Sequence, residues 1–153
     1  MPGGTSPVQR RNAQKIDLDA TDFWRRKDGR VWRYLSAPLT SVAWAGNARS
    51  TTAKTLIDLS AVFSVPAGVK AVLVYLAARD SGSAANDCFV LLSPNNTGAS
   101  GPAWLDCFGL TNDAFEREQF VVPCDANGDI YFQCQASGVD TLDVWLEIWG
   151  YCP

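Results

Sequence analysis

Thr141-Leu-Asp-Val-Trp-Leu-Glu-Ile-Trp-Gly-Tyr151 alternates from end to end. Leu142, Val144, Leu146 and Ile148 fall on one side of an extended chain; Asp143, Trp145, Glu147, Trp149 and Tyr151 fall on the other. Side chains of a strand point to opposite faces with a period of two, so the first set is a core face and the segment a strand. The second set does not read as plain solvent surface, because two tryptophans interleave with two acids. Either a neighbouring subunit or the chain's own N-terminal segment covers it, or the rings form a sugar-stacking platform that Trp104 would join. Interfaces favour Trp and Tyr.

The same alternation extends upstream. Leu56-Ile-Asp-Leu59 and Val62-Phe-Ser-Val65 read as strands leading into the turn Pro66-Ala-Gly68. Val69 to Ala78 is apolar on both faces and is therefore expected at the centre of a sheet. Cys88 to Leu92, Trp104 to Leu110, Gln119 to Val122 and Ile130 to Gln135 complete a set of about eight strands, separated by Gly-, Asn-, Ser- and Pro-rich turns. Asn112 to Glu118 allows one helical turn. The expected fold class is all-β: an antiparallel β-sandwich or jelly roll with an extended N-terminal arm. No internal repeat is found.

The arm, residues 1–53, differs from the sandwich, residues 54–153, in grammar and charge. Up to residue 55 the chain holds ten Lys and Arg against four Asp and Glu, a net of +6; from residue 56 onward it holds three against twelve, a net of −9. Arg10 and Arg11 open the basic run. Phe23, Trp24, Arg25, Arg26, Arg30, Trp32, Arg33 and Tyr34 make its densest mixture of base and ring, and Asp28-Gly29 predicts a small hairpin between them. Pro38 is expected to break the chain, and Val42 with Trp44 to start another short strand. Bases beside aromatics also suit nucleic acid. The acidic domain behind them would repel a polyanion, so nucleic acid is not the favoured partner. The bases are mostly Arg, which pairs bidentately with carboxylates, and this favours docking on an acidic protein surface.

Catalytic signatures are missing. The chain has no histidine, which removes Ser-His-Asp and Cys-His arrangements, and it carries no Gly-rich phosphate loop. Asp113, Glu116 and Glu118 could supply a carboxylate pair, but loop carboxylates are usually solvated charge. Asp125-Ala-Asn-Gly-Asp129 has its glycine misplaced for a calcium loop and reads as a turn. Five cysteines without C-x-x-C spacing read as reduced thiols packed as small apolar residues, not as zinc ligands. Asn95-Asn-Thr97 matches a glycosylation sequon by chance. No catalytic residue, metal or cofactor is expected. The longest apolar run, Ala71 to Ala78, is eight residues, short of the roughly 20 a membrane helix needs. Met1 to Pro7 has no apolar core, so no secretory signal is expected.

Over residues 54–151 the strand and turn pattern resembles the small β-sandwich accessory domains of tailed-bacteriophage virions, found in capsid decoration (cement) proteins, head fibres and tail fibres. The resemblance rests on Leu56-Ile-Asp-Leu-Ser60, Val65-Pro-Ala-Gly-Val-Lys-Ala-Val-Leu-Val74, Asp125-Ala-Asn-Gly-Asp-Ile-Tyr131 and Leu142 to Tyr151. It implies a non-enzymatic structural protein, made in the host cytoplasm and resident in the virion. Such a protein docks by its N-terminal arm on the major capsid protein or other virion proteins and forms a homo-oligomer, a trimer in preference. The chain lacks a coiled coil or fibrous shaft, which favours decoration over a complete fibre. A tail- or head-fibre module that binds a receptor or glycan is the alternative.

Overall fold

A computed structural model describes the backbone of residues 23–25 and, in full, residues 31–82, 88–98, 101–107 and 114–153. Arg10, Arg11, Arg26, Arg30, Asp113 and the expected turn at Asp28-Gly29 lie outside these. The described chain is nearly all strand: β1 (Phe23–Arg25), β2 (Val31–Leu39), β3 (Ala45–Arg49), β4 (Thr55–Ile57), β5 (Ala71–Asp80), β6 (Phe89–Ser93), β7 (Ala103–Asp106), β8 (Glu116–Pro123), β9 (Ile130–Gln135) and β10 (Leu142–Cys152). A 3-10 turn, Val42–Trp44, and one short helix, α1 (Leu59–Phe63), complete it.

The strands form two antiparallel sheets. The first has the order β1-β2-β10-β5-β8, with β3 also on β10; the second has the order β4-β9-β6-β7. β2 pairs with the C-terminal half of β10 (Tyr34 opposite Gly150) and β3 with its N-terminal half (Arg49 opposite Leu142). The two strands therefore lie end to end along one edge of β10, and the 3-10 turn between them drops Trp44 into the core. With these two counted as one broken strand and β1 set aside as an addition at the edge, eight strands remain, in the orders first-eighth-third-sixth and second-seventh-fourth-fifth. That is the double-sheet jelly roll. Residues 31–49, inside the expected arm, thus supply strands to the first sheet.

The core lies between the sheets. Val74, Leu76 and Ala78 of β5 stand opposite Ile148, Leu146 and Val144 of β10 in register, and Val72 and Leu142 extend the same inner face, all fully buried or nearly so. Val90, Leu92, Leu105, Ile130, Phe132 and Cys134 close the core from the second sheet. β5 runs between β10 and β8, the central place its two-sided apolar sequence requires.

Four local expectations are corrected. Val62 to Val65 is not a strand: Asp58 caps α1 by accepting from the Ala61 N–H at 2.9 Å, Leu59 and Phe63 bury one face at i and i+4, and Ser64 ends the turn with φ 60°. Pro38 does not break the chain; it sits in β2 between paired Tyr34 and Leu39, where the register shifts and residues 35–38 have no paired partner on β10, a place that tolerates proline. Val42 and Trp44 lie in the 3-10 turn, not in a strand. Glu116 and Glu118 lie in β8, paired with Ala78 and Leu76, so residues from 116 onward are extended and not part of a helical turn.

Candidate functional site

The described part of the arm forms the outer edge of the first sheet. β1 pairs with β2 through Phe23 opposite Trp32 and Arg25 opposite Val31, and β2 pairs with β10. Trp24 lies between the two β1 contacts, in the same strand. Trp32 is buried, Arg33 and Tyr34 are exposed, and the Trp32 and Tyr34 rings stack at 6.3 Å. Arg33 stands opposite Tyr151 in register, and both line a pocket of about 260 Å³ closed by Pro66, Ala67, Gly68, Val69 and Pro153. Arg33 therefore lies beside the turn that precedes β5 and beside Pro153.

The outer face of the first sheet carries Trp145. Gly46 of β3 lies against it so closely that a Cβ there would sit 2.5 Å from Trp145 Cζ2. The Phe115 ring packs against it at a tilt of 47° with ring centres 5.0 Å apart, and the Arg79 guanidinium lies 5.6 Å from the Trp145 ring. Arg79 also binds Asp143, Nε to Oδ2 2.9 Å, and Trp149 Nε1 donates to Glu147 Oε2 at 2.9 Å. Arg79 and Arg117 each lie 5.2 Å from the Phe115 ring. These contacts account for the acids interleaved with the tryptophans: each acid holds a neighbouring cation or indole. Trp145 and Trp149 are half-buried within one chain, with β3, a strand of the N-terminal segment, supplying part of the cover.

Trp104, Trp145, Trp149 and Tyr151 do not form one platform. The β10 register against β5 slips at Trp149: Ile148 pairs with Val74 and Gly150 with Leu73. The extra residue is a β-bulge, and it reverses the alternation. Tyr151 consequently stands opposite inward-facing Val72 and packs against the core. Trp104 belongs to the second sheet, where it is 37% exposed, stacks on Phe89 at 4.5 Å, and donates Nε1–H to Asp106. Sequence alternation does not reveal the bulge, although Gly150 is a signal that a backbone approaches closely: a Cβ there would lie 2.8 Å from the Arg33 carbonyl oxygen.

The polar clusters serve the fold. Asp125 Oδ1 accepts from the Asn127 and Asp129 N–H groups at 2.9 Å each, and the Gly68 N–H donates to the Asn127 carbonyl at 2.8 Å. Asp129 Oδ1 accepts from the Leu59 N–H at 3.0 Å. Burial raises the Asp129 carboxyl above the ordinary carboxylate range; the Leu59 hydrogen bond opposes this, and the charges of Asp58 and Asp125 add to it. Among the described residues no group of three or more His, Cys, Asp or Glu is placed to hold a metal ion. The five cysteines form no disulfide, and four of them are buried. Burial pushes the Cys107 and Cys124 thiols up to about 12, and burial reinforced by a bond to Asp80 pushes Cys88 up to about 11. Such thiols are poor nucleophiles.

Asp80 was not singled out in the sequence. It is 1% exposed and gathers three chain segments: it accepts from Gly82 N–H (2.8 Å), Ser137 N–H (3.0 Å), Thr141 Oγ1 (3.1 Å), Cys88 Sγ (3.3 Å) and the Ser137 hydroxyl. Compared with known proteins, the chain matches no protein-family model and no curated protein.

Proposed function

We propose that this chain is a non-enzymatic structural protein of a phage virion, a capsid decoration protein that docks by its N-terminal arm and associates through its sandwich. One observation carries the reading. The described parts of the base- and ring-rich stretch, residues 23–25 and 31–34, belong to β1 and β2, which follow β10 at one edge of the first sheet, and the chain up to residue 55 is net +6 while residues 56–153 carry −9. An anchor set on a sheet edge transmits load directly to the core strand β10. The partner it suits is an acidic surface on a capsid or other virion protein, because Arg pairs bidentately with carboxylates. Docking would stabilise the shell by adding contact area to the assembled state alone. A cryo-EM map of the parent particle tests this: density for the jelly roll on the particle exterior, with residues 1–30 running onto shell subunits, is expected. Particles without that density would overturn the reading.

A second reading, a receptor- or glycan-binding module of a tail or head fibre, is favoured by the Trp104 ring. It presents a partly exposed face stacked on Phe89 and fixed by Asp106, and the register sets Gln133 and Gln135 on the same sheet face beside Leu91 and Phe89. Flat rings flanked by amide and carboxylate groups suit a hydroxyl-rich ligand. Particles carrying Trp104→Ala should then adsorb poorly to host cells; unchanged adsorption would sink this reading.

A further inference from the structure

Cys88 and Cys107 face each other across the β6–β7 hairpin. The hairpin pairs Phe89 with Asp106 and Val90 with Leu105, and the same register carried one residue further sets Cys88 opposite Cys107. The Cys107 N–H donates to the Cys88 carbonyl at 2.8 Å, so the ladder still holds there. Both side chains are buried in the same core cluster, on the same side of the sheet. Residues directly opposite in an antiparallel ladder have Cα atoms about 4.5–5.5 Å apart. A disulfide spans Cα separations of about 4.4–6.8 Å, so the backbone spacing of a directly opposed pair suits one. Cys134 and Cys152 stand opposite Val90 and Ala71, which leaves neither facing another cysteine in register.

We propose that Cys88 and Cys107 are an oxidisable pair, which a small disulfide oxidant such as oxidised glutathione closes into a cross-strand disulfide. One cysteine sulfur, as thiolate, attacks the oxidant and releases one glutathione thiol. The second cysteine sulfur then displaces the other glutathione. Two thiols lose two protons and two electrons, one Cys–Cys S–S bond forms, and the glutathione S–S bond is reduced to two thiols. Closure removes the Cys88 S–H donor from Asp80, but that carboxylate keeps Gly82, Ser137 and Thr141 as donors. No buried charge is left bare. In a reducing cytosol the pair stays open, and outside the cell it closes. The raised thiol pKa values make the exchange slow, on the scale of minutes to hours. The inference goes beyond the virion reading, and its test does not depend on that reading.

Purified full-length protein is incubated with oxidised glutathione, its remaining thiols are alkylated, and it is digested without reduction for mass spectrometry. The expected product has lost two hydrogens, contains a Cys88–Cys107 linked peptide, and carries alkyl groups on Cys124, Cys134 and Cys152. Its Tm should exceed that of the reduced protein by about 5–10 °C, since the bond closes a loop of some 20 residues. Cys88→Ser, which keeps a hydroxyl donor for Asp80, should abolish the linked peptide. Alkylation of both Cys88 and Cys107 after oxidation, or linkage through any other pair, would overturn the proposal. Because the peptide map is read on the unmutated chain, the result stands even where a variant folds poorly.

Discussion

Asp80 is the one fully buried charged side chain among the described residues, and its five hydrogen bonds join the end of β5 to Cys88 and to the turn before β10. Burial alone would raise its carboxyl; the bonds from Ser137, Gly82 and Cys88 outweigh that and hold it below the ordinary carboxylate range. A depressed carboxyl stabilises the fold above its unfolded value of about 4, and that contribution is lost as pH falls through the folded value. Asp80→Ala leaves several donors without an acceptor and should cost about 2–4 kcal/mol at pH 7, read as a fall in urea midpoint. Between pH 7 and pH 3 the unmutated chain should lose more stability than Asp80→Asn does. Equal pH dependence in the two would show that Asp80 is not the group responsible. None of this was legible in the sequence, where Ser81-Gly-Ser83 reads as an ordinary loop. The Asp80 partners Ser137 and Thr141 lie about sixty residues away, and only the fold brings them together.

β9 and the first part of β10 were legible from their alternation, because a one-residue slip would turn the apolar set to solvent, and β5 was legible from a run apolar on both faces, which needs a central place in the sheet. Helix α1 and the strands β2 and β3 were not. Helix α1 is five residues long, too short for a period to show, and its signal is the Asp58 cap. Asp58→Ala should cost about 1 kcal/mol in thermal or urea unfolding, the usual worth of an N-cap. β2 and β3 escaped notice as sheet strands because they lie on an edge, mix polar with apolar residues, and owe their place to close contacts on β10. Gly46 has φ 82° and abuts Trp145, so Gly46→Ala combines backbone strain with overpacking and should destabilise by about 2–4 kcal/mol. Gly150→Ala should push β2 away from β10. Its signature is faster amide exchange at Arg33 and Tyr34 while β5 and β9 keep their protection; uniform protection would contradict the close approach at Gly150.

At the scale of the whole molecule, the sequence divides into a net +6 up to residue 55 and −9 after it, and the described strands β1 and β2 lie at one edge of the first sheet. The far edge of the first sheet, β8, begins Glu-Arg-Glu and ends at Pro123, a composition that discourages strand addition. Association is therefore expected through faces and through the arm, not through that edge. A solution mass near three times 16.6 kDa is the outcome expected of the favoured trimer, and a monomer would contradict the oligomer part of the proposal. The candidate site was legible only in part. The arm's composition points to docking, and the described remainder of the arm does lie on a sheet edge. The supposed four-ring platform dissolves because a bulge and a change of sheet separate its members. The central claim is that the arm anchors the protein to a particle. It is tested most directly by adding full-length protein, and protein lacking residues 1–30, to parent particles stripped of it, and measuring what cosediments. The account predicts saturable binding of the full-length chain and a loss of at least tenfold in affinity, about 1.4 kcal/mol, for the shortened one with its jelly roll still folded. Equal binding of the two would contradict it.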